Sequence, residues 1–390
     1  MSRHERFAVG GATVAPLACV MGGMDLVRPL GLAGIRCMTV ARPGSPALYS
    51  RFNAAALPWS EFSPAAQDLV ERLVQFAGAQ AAPPVLFFEE DAQLLMVSRH
   101  REKLAKAFRF VIADAALIED LVDKARFQAV AERLALPLPP SRRLRPSSGP
   151  LGDLGLRFPL IVKPLTRDAE WAAIGGSQKA VRVETVQALH KLWPLLADCD
   201  TDFLAQEEIP GPESGMESYH VYVDRMGEIA GEFTGKKIRT WPVTCGHSTS
   251  LTITDAADVT ELGRALTRKL NLRGIAKFDF KRAPDGKLYL LEVNPRFNLW
   301  HHLGAVAGIN LPAMVYADLT GTPRPAVTQA RAGTRWCMFK DYPAARAGGI
   351  SALEWWRFAQ DSDAWSTVSR DDLMPLVRGG ISLLARRLAR

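Results

Sequence analysis

An α/β fold in two or three lobes is predicted by three features of this sequence: its length, an apolar β-α-β opening, and a late β-hairpin with an acid on each arm. At 390 residues the chain exceeds the roughly 250 residues at which single cores stop growing. Hydrophobic residues make up 48% and charged residues 23%, the mix of a folded protein rather than a disordered or fibrous one. The opening reads as a buried strand from Thr13 to Met21, then Gly22-Gly23, a helix cap at Asp25, a short helix to about Ala33 and a second strand from Ile35 to Val40. The hairpin is Lys277-Phe278-Asp279-Phe280-Lys281, a turn at Pro284-Asp285-Gly286, and Leu288 to Val293.

The net charge of +7 does not form a dense basic block, and no helix-turn-helix, zinc-finger or RNA-stacking signature accompanies it, so no nucleic-acid partner is expected. Five cysteines, Cys19, Cys37, Cys199, Cys245 and Cys337, are odd in number and lack any Cys-x-x-Cys pair, which argues against a disulfide framework or structural zinc. The charged start Met1-Ser2-Arg3-His4-Glu5-Arg6 and the glycines and proline that interrupt the following apolar stretch speak against a signal peptide or a membrane span. A cytoplasmic protein is the expectation.

Val85 to Phe88 is a further strand of the first layer, closing on Glu89-Glu90-Asp91, and this layer ends near residue 118. Asp120 to Leu136 has helical spacing and stops at Pro137-Leu138-Pro139-Pro140; Pro137 to Gly155 then reads as a linker. Strands follow at Leu160–Val162, Ala180–Val183, Phe203–Gln206, His220–Val223, Gly227–Phe233 and Leu288–Val293, with helices at Thr185–Leu196, Ala257–Leu270 and Leu311–Leu319. After Thr322 the pattern is less regular, but Trp336, Trp355, Trp356 and Trp365 predict a packed extension. The final run Ile381 to Arg390 reads as a helix docked on the protein with a solvated basic edge.

No Gly-x-Gly-x-x-Gly or Gly-x4-Gly-Lys-Ser/Thr occurs, so a phosphate ligand needs another route. The hairpin offers one. Asp279 and Glu292 fall on adjacent strands and approach if they share a face. Two acids on apolar strands repel each other, and a divalent cation removes the conflict. Magnesium takes one or two carboxylates with phosphate and water, and Asn294 adds an amide oxygen. Arg296 places a permanent charge where phosphate oxygens would lie. The ordinary alternative is a solvated hairpin with an Asx turn at Asn294-Pro295. Phe158 to Pro164 is an apolar strand ending in Lys163, and Phe203 to Gly211 runs through Gln206, Glu207, Glu208 and Ile209 into an acidic turn. The basic stretch Gly235-Lys236-Lys237-Ile238-Arg239-Thr240-Trp241-Pro242 reads as a loop, and Trp300-His301-His302-Leu303 as a helix that sends one histidine to a substrate and the other into packing.

In this order the elements resemble the ATP-grasp superfamily over roughly residues 119 to 322, and within it the carboxylate–amine ligases of the D-aspartate ligase-like group. The resemblance implies an α/β protein whose ATP-grasp fold, two α+β lobes clasping ATP, follows a Rossmann-like domain at 1–118 and precedes a C-terminal extension at 323–390. Within 119–322 the small lobe would span about 156–210 and the metal-bearing lobe about 211–322. It implies that Lys124 and Lys163 contact phosphates, that Gln206, Glu207, Glu208 and Ile209 line the adenine site, and that Glu213 takes the ribose. Asp279, Glu292 and Asn294 would hold Mg2+, with Mn2+ able to substitute. Arg296, Lys237 and Arg239 would act on phosphate or the acyl intermediate, and His301 and His302 would lie near the substrate. Two departures stand out: the first metal carboxylate is Asp279 where Glu is usual, and only Gly175-Gly176-Ser177 near Lys179 fits the usual glycine-rich loop. The implied reaction activates a carboxylate as an acyl phosphate and joins it to an amine, from small-molecule substrates, with a homodimer compatible. A bicarbonate-dependent carboxylase or carbamoyl-phosphate-type enzyme, and a nucleotide-binding scaffold without turnover, are the competing readings.

Overall fold

A computed structural model describes residues 15–165, 171, 174, 180–199, 201–212, 215–243, 246–327 and 329–379. Cys245, the Met1–Arg6 start and the Ile381–Arg390 run lie outside the described residues. The first layer is a parallel sheet of β1 (Ala18–Met21), β2 (Cys37–Ala41), β3 (Asn53–Pro58) and β4 (Val85–Phe88), in the order β3-β2-β1-β4. β1, β2 and β4 are buried at every position, as parallel strands covered on both faces must be. The helix after β1 runs Met24–Leu32 with Gly23, not Asp25, at its N-cap position; Asp25 sits in the first turn.

The helix expected from Asp120 to Leu136 is two helices, Ala115–Val122 and Lys124–Arg133, broken at Asp123. Asp123 is extended, and its carboxylate accepts the Arg126 backbone N–H at 2.9 Å, an N-cap that outweighs the continuous apolar spacing. Lys124 thereby begins a helix. The linker expected over Pro137–Gly155 contains β5 (Ser141–Leu144), an edge strand paired with β8 (Phe203–Glu207) in a small antiparallel sheet, order β5-β8-β6-β7, with β6 at Leu160–Pro164 and β7 at Val181–Val183. The helix Val186–Ala197 covers this sheet, its Thr185 cap accepting from Ala188, and Leu160, Val162, Leu189, Leu196 and Phe203 form a core of its own.

The large sheet has the order β13-β12-β9-β10-β11-β14-β15, where β9 is Met216–Val223, β10 Ile229–Trp241, β11 His247–Thr254, β12 Gly274–Arg282, β13 Leu288–Asn294, β14 Arg335–Cys337 and β15 Ala364–Trp365. The basic stretch 235–241, expected as a loop, is the second half of β10, paired with β11 along its length and with β9 at Gly235 and Lys236. Its charges read as a loop, but pairing with β11 continues to Trp241 and sets its conformation. The C-terminal extension adds β14 and β15 to this sheet and packs Trp336 and Trp355 inward, while Trp356 is half exposed. Alternation along β9 puts Tyr219 and Val221 in a core shared with Leu69, Leu86 and Leu94 of the first layer, and Tyr222 in one shared with Val20 and Leu26. The first layer and the large sheet therefore form one packed body, against which the small sheet stands with its separate core. Among the described residues no single helix is long and apolar enough to cross a membrane.

Candidate active site

The turn at 283–287 closes with Ala283 N–H to Lys287 O and Gly286 N–H to Ala283 O, both 2.9 Å, and Gly286 takes φ +87°, which favours glycine. This fixes a register in which Asp279 stands directly opposite Glu292 and beside Ser218 of β9, with Lys277 opposite Asn294 and beside His220. The two rows lie on one face. Gly235 of β10 extends the first row as the partner of Ser218. A Cβ on Gly235 would lie 2.2 Å from the Trp300 ring, so glycine is what lets the indole close over the sheet.

Asp279 is 1% exposed. Its Oδ1 accepts from Ser218 Oγ at 2.6 Å, and Lys277 Nζ lies 2.5 Å from Oδ2 as an ionic contact outside hydrogen-bonding angles. Burial pushes this carboxyl up, but Lys277 and Lys237 outweigh it and hold it well below the usual carboxylate range. Glu292 is exposed and accepts from Asn294 Nδ2 at 3.1 Å. Asn294 Oδ1 in turn accepts from Arg296 Nη2 at 3.2 Å. An ionised carboxylate with one oxygen lacking a hydrogen bond, an exposed carboxylate opposite it and a neighbouring amide oxygen make the hard-oxygen set that suits magnesium better than zinc. No cluster of three or more His, Cys, Asp or Glu ligands occurs among the described residues.

Arg296 bridges two layers. Its Nε is paired with Asp91, and its Nη1 donates to the Glu89 carbonyl at 3.0 Å, so the β13 end is tied to the β4 end. A cleft of about 560 Å³ lies beside it, lined by Asp91, Glu292, Asn294 and Arg296 on one wall and by Lys124, Lys163 and Gln206 on the other. Lys124 Nζ donates to the Pro164 carbonyl at 3.0 Å and Lys163 Nζ lies 3.4 Å from Gln206 Oε1. Glu207 and Glu208 turn instead to arginines: Glu207 takes the Arg157 backbone N–H and guanidinium at 2.8–3.0 Å, and Glu208 takes Arg182 Nε at 2.7 Å. Ile209 is buried. Glu213 and the Gly175-Gly176-Ser177 stretch with Lys179 lie outside the described residues.

Lys237 is on β10 near enough to Asp279 to depress its pKa. Arg239 faces the C-terminal extension: it pairs through Nε and Nη2 with Asp341, which is fully buried and also takes Thr249 Oγ1 and Trp355 Nε1, and it stacks 4.2 Å from the Phe358 ring centre. Arg239→Lys keeps the charge but loses the fork and the stack. It should cost about 1–2 kcal/mol of stability in a thermal or urea melt, with turnover following the folded fraction; a fall in turnover without loss of stability would put Arg239 at the reacting groups instead.

The histidine pair divides. His302 lines a cavity of about 730 Å³ with Arg28, Trp356 and Trp365, and its Nε2 accepts from Arg28 Nε at 3.4 Å. His301 packs edge-on to Phe297, ring centres 5.2 Å apart, and to His220 at 6.4 Å, and neither nitrogen of either buried ring makes a hydrogen bond to protein. Burial holds both rings neutral, pulling His301 down to about 3. The unfolded chain binds a proton at His301 below about pH 6.5 and the folded chain does not until about 3, so stability is full above that window and falls as pH drops through it. Between pH 6.5 and 5 His301 alone should cost about 2 kcal/mol; urea melts of the native protein and His301→Phe at the two pH values should differ by that amount.

Lys277, Ser218 and Asp91 carry no assignment in the sequence-based expectations. A period of two places Lys277 on the face of Asp279 and could have found it; Asp91 closes a strand recognised as such, whereas Ser218 precedes the apolar run that marked β9.

A family model described as ATP-grasp in the biosynthetic pathway with Ter operon matches residues 216–341. D-aspartate ligase of Enterococcus faecium (strain Aus0004) is 25% identical over 287 residues, 70% of this chain and 68% of the relative. D-alanine--D-alanine ligase of Ectopseudomonas mendocina (strain ymp) is 27% identical over 219 residues, 51% and 64% respectively, so the match spans about two thirds of the length of each curated relative. N5-carboxyaminoimidazole synthetase from Staphylococcus aureus, complexed with ADP, superposes with a TM-score of 0.61 at 13% identity, covering 82% of this chain and 80% of that one, a likeness of fold. The matched region, the ligase relatives and the shared fold give this chain an ATP-grasp fold and a similarity to the carboxylate–amine ligases.

Proposed function

We propose that the protein is an ATP-dependent ligase that activates a small carboxylic acid as an acyl phosphate and joins it to an amine, with lobes near 1–118, 119–322 and 323–390. The observation that carries this reading is the meeting, across one 560 Å³ cleft, of Glu292, Asn294 and Arg296 with Lys124, Lys163 and Gln206. Lys124 and Lys163 hold the phosphates as point charges, and the β8 strand through Gln206 to Ile209 offers the adenine edge its backbone. Asp279, Glu292 and Asn294 hold magnesium, which draws charge from the transferring phosphoryl group. Arg296 meets the charge that develops on the phosphoryl and acyl oxygens, and Lys277, already against Asp279, adds a cation beside it. Phosphoryl transfer depends on positioning and charge neutralisation, and these residues supply both.

The test is ADP release with magnesium, ATP, hydroxylamine and a panel of amino acids and dicarboxylates. One acid should give both ADP and a hydroxamate. Turnover with bicarbonate and no organic acid selects a carboxylase instead, and tight ATP binding without ADP release under any condition selects a scaffold.

A further inference from the structure

The chain runs from β1 outward through β2 to β3, then crosses back to lay β4 on the other side of β1. Open α/β sheets take ligands in the crevice beyond the carboxyl ends of the strands at such a reversal. Those ends are Met21 and Phe88. A cavity of about 390 Å³ lies there, lined by Gly22, Gly23, Arg42, Phe62 and Glu89 among others, a size that suits a molecule of amino-acid dimensions. It adjoins the nucleotide cleft, because the turn 89–91 serves both: Glu89 and Glu90 face the crevice, Asp91 faces the cleft, and Arg296 grips the turn at the Glu89 carbonyl and Asp91.

Glu89 Oε2 accepts the Gly23 N–H at 2.7 Å, and among the described residues no group donates to Oε1. A Cβ on Gly22 would lie 2.8 Å from Oε2, so glycine leaves room for the carboxylate. Burial pushes this carboxyl up to about 7 against the Gly23 hydrogen bond; Asp25 on the adjoining helix and Glu90 push the same way, and Arg296 opposes them. Glu90 is itself paired with Arg42 at 2.7 Å. A carboxylate balanced near neutrality in a crevice beside a phosphoryl-transfer cleft has the character of a general base. Capping the Met24–Leu32 helix accounts for Oε2 and leaves Oε1 without a role.

We propose that this crevice binds the amine substrate, a primary amine of amino-acid size, and that Glu89 removes a proton from its ammonium group before attack. The proposal rests on the ligase reading. Glu89 accepts the first proton and frees the nitrogen lone pair. The C–N bond then forms at the acyl-phosphate carbon, the C–O bond to phosphate breaks, and inorganic phosphate leaves with the electron pair and takes the second proton.

Glu89→Gln keeps an acceptor for Gly23 N–H and removes the base. Hydroxylamine is already neutral at pH 7 and needs none, so its reaction serves as the folding and ATP-use control. With each free amino acid as the amine, the variant should form amide about 100-fold more slowly, while hydroxamate formation changes by less than about threefold. Native kcat/KM for the amine should rise through about pH 7, and the variant should lose that limb. Equal losses in both reactions, or undiminished amide formation, overturn the proposal. Turnover with hydroxylamine but with no free amino acid overturns the substrate class. No hydroxamate from the native protein with any acid removes the ligase reading, and the base with it.

Discussion

Glu292→Gln should lower turnover by about 100-fold or more while leaving the fold intact, by comparison with removal of one strong electrostatic stabiliser from a reacting centre. Glu292 is exposed at the cleft, accepts one side-chain hydrogen bond within its own strand, from Asn294, and stands opposite Asp279 on the neighbouring strand. A glutamine retains the shape and an acceptor for Asn294, so the hairpin keeps its register. What disappears is a negative oxygen facing the cleft. With it gone, Asp279 is the remaining carboxylate of the set, and it is already neutralised in part by Lys277 at 2.5 Å. Added magnesium should therefore restore turnover only at much higher concentration. The checks are ADP release against magnesium concentration and a thermal melt. A variant that unfolds, or one that turns over normally, would show Glu292 to be a structural acid.

The hairpin was legible because each local signal agreed: a Pro-Asp-Gly turn, β-rich arms, and acids at matching distances from the turn. Pairing by spacing alone then put Asp279 opposite Glu292, where the register has them. β5 was hidden because Ser141-Arg142-Arg143-Leu144 is polar at its centre, and its two arginines are exposed on an edge strand. The second half of β10 was hidden by its own charge. Lys236, Lys237 and Arg239 carry the pattern of a solvated loop, yet all three pair with β11, and Arg239 gives its charge to an acid 102 positions away. Long-range polar pairs of this kind leave no local trace. The Asp25 carboxylate, for example, accepts from Trp336 Nε1 at 2.9 Å and from Ser366 Oγ at 2.5 Å, both in the C-terminal extension. The same holds for Glu89, which reads from sequence as one of three acids that close a strand. Only folding sets it at the sheet reversal beside Gly22 and Gly23.

Arg296→Lys should also cost turnover about 100-fold, because its role needs a planar fork that lysine lacks. The guanidinium engages Asp91 through Nε, the Glu89 carbonyl through Nη1 and Asn294 Oδ1 through Nη2, three directions that a single ammonium cannot serve at once. Lysine keeps the positive charge against Asp91, so the bulk electrostatics of the cleft survive and stability should fall by no more than about 2 kcal/mol. The loss instead comes from geometry. Asn294 is released to rotate its amide away from Glu292, and the turn 89–91 is no longer fixed to the strand end that bears Glu292 and Asn294. Misplacement of about 1 Å at a reacting centre is enough for such a loss. Because that turn borders both the nucleotide cleft and the crevice, ADP release and amide formation should fall together, unlike the selective loss expected for Glu89→Gln. Steady-state rates for the two reactions, measured side by side in the two variants, separate a residue that aligns both sites from one that acts on the amine alone.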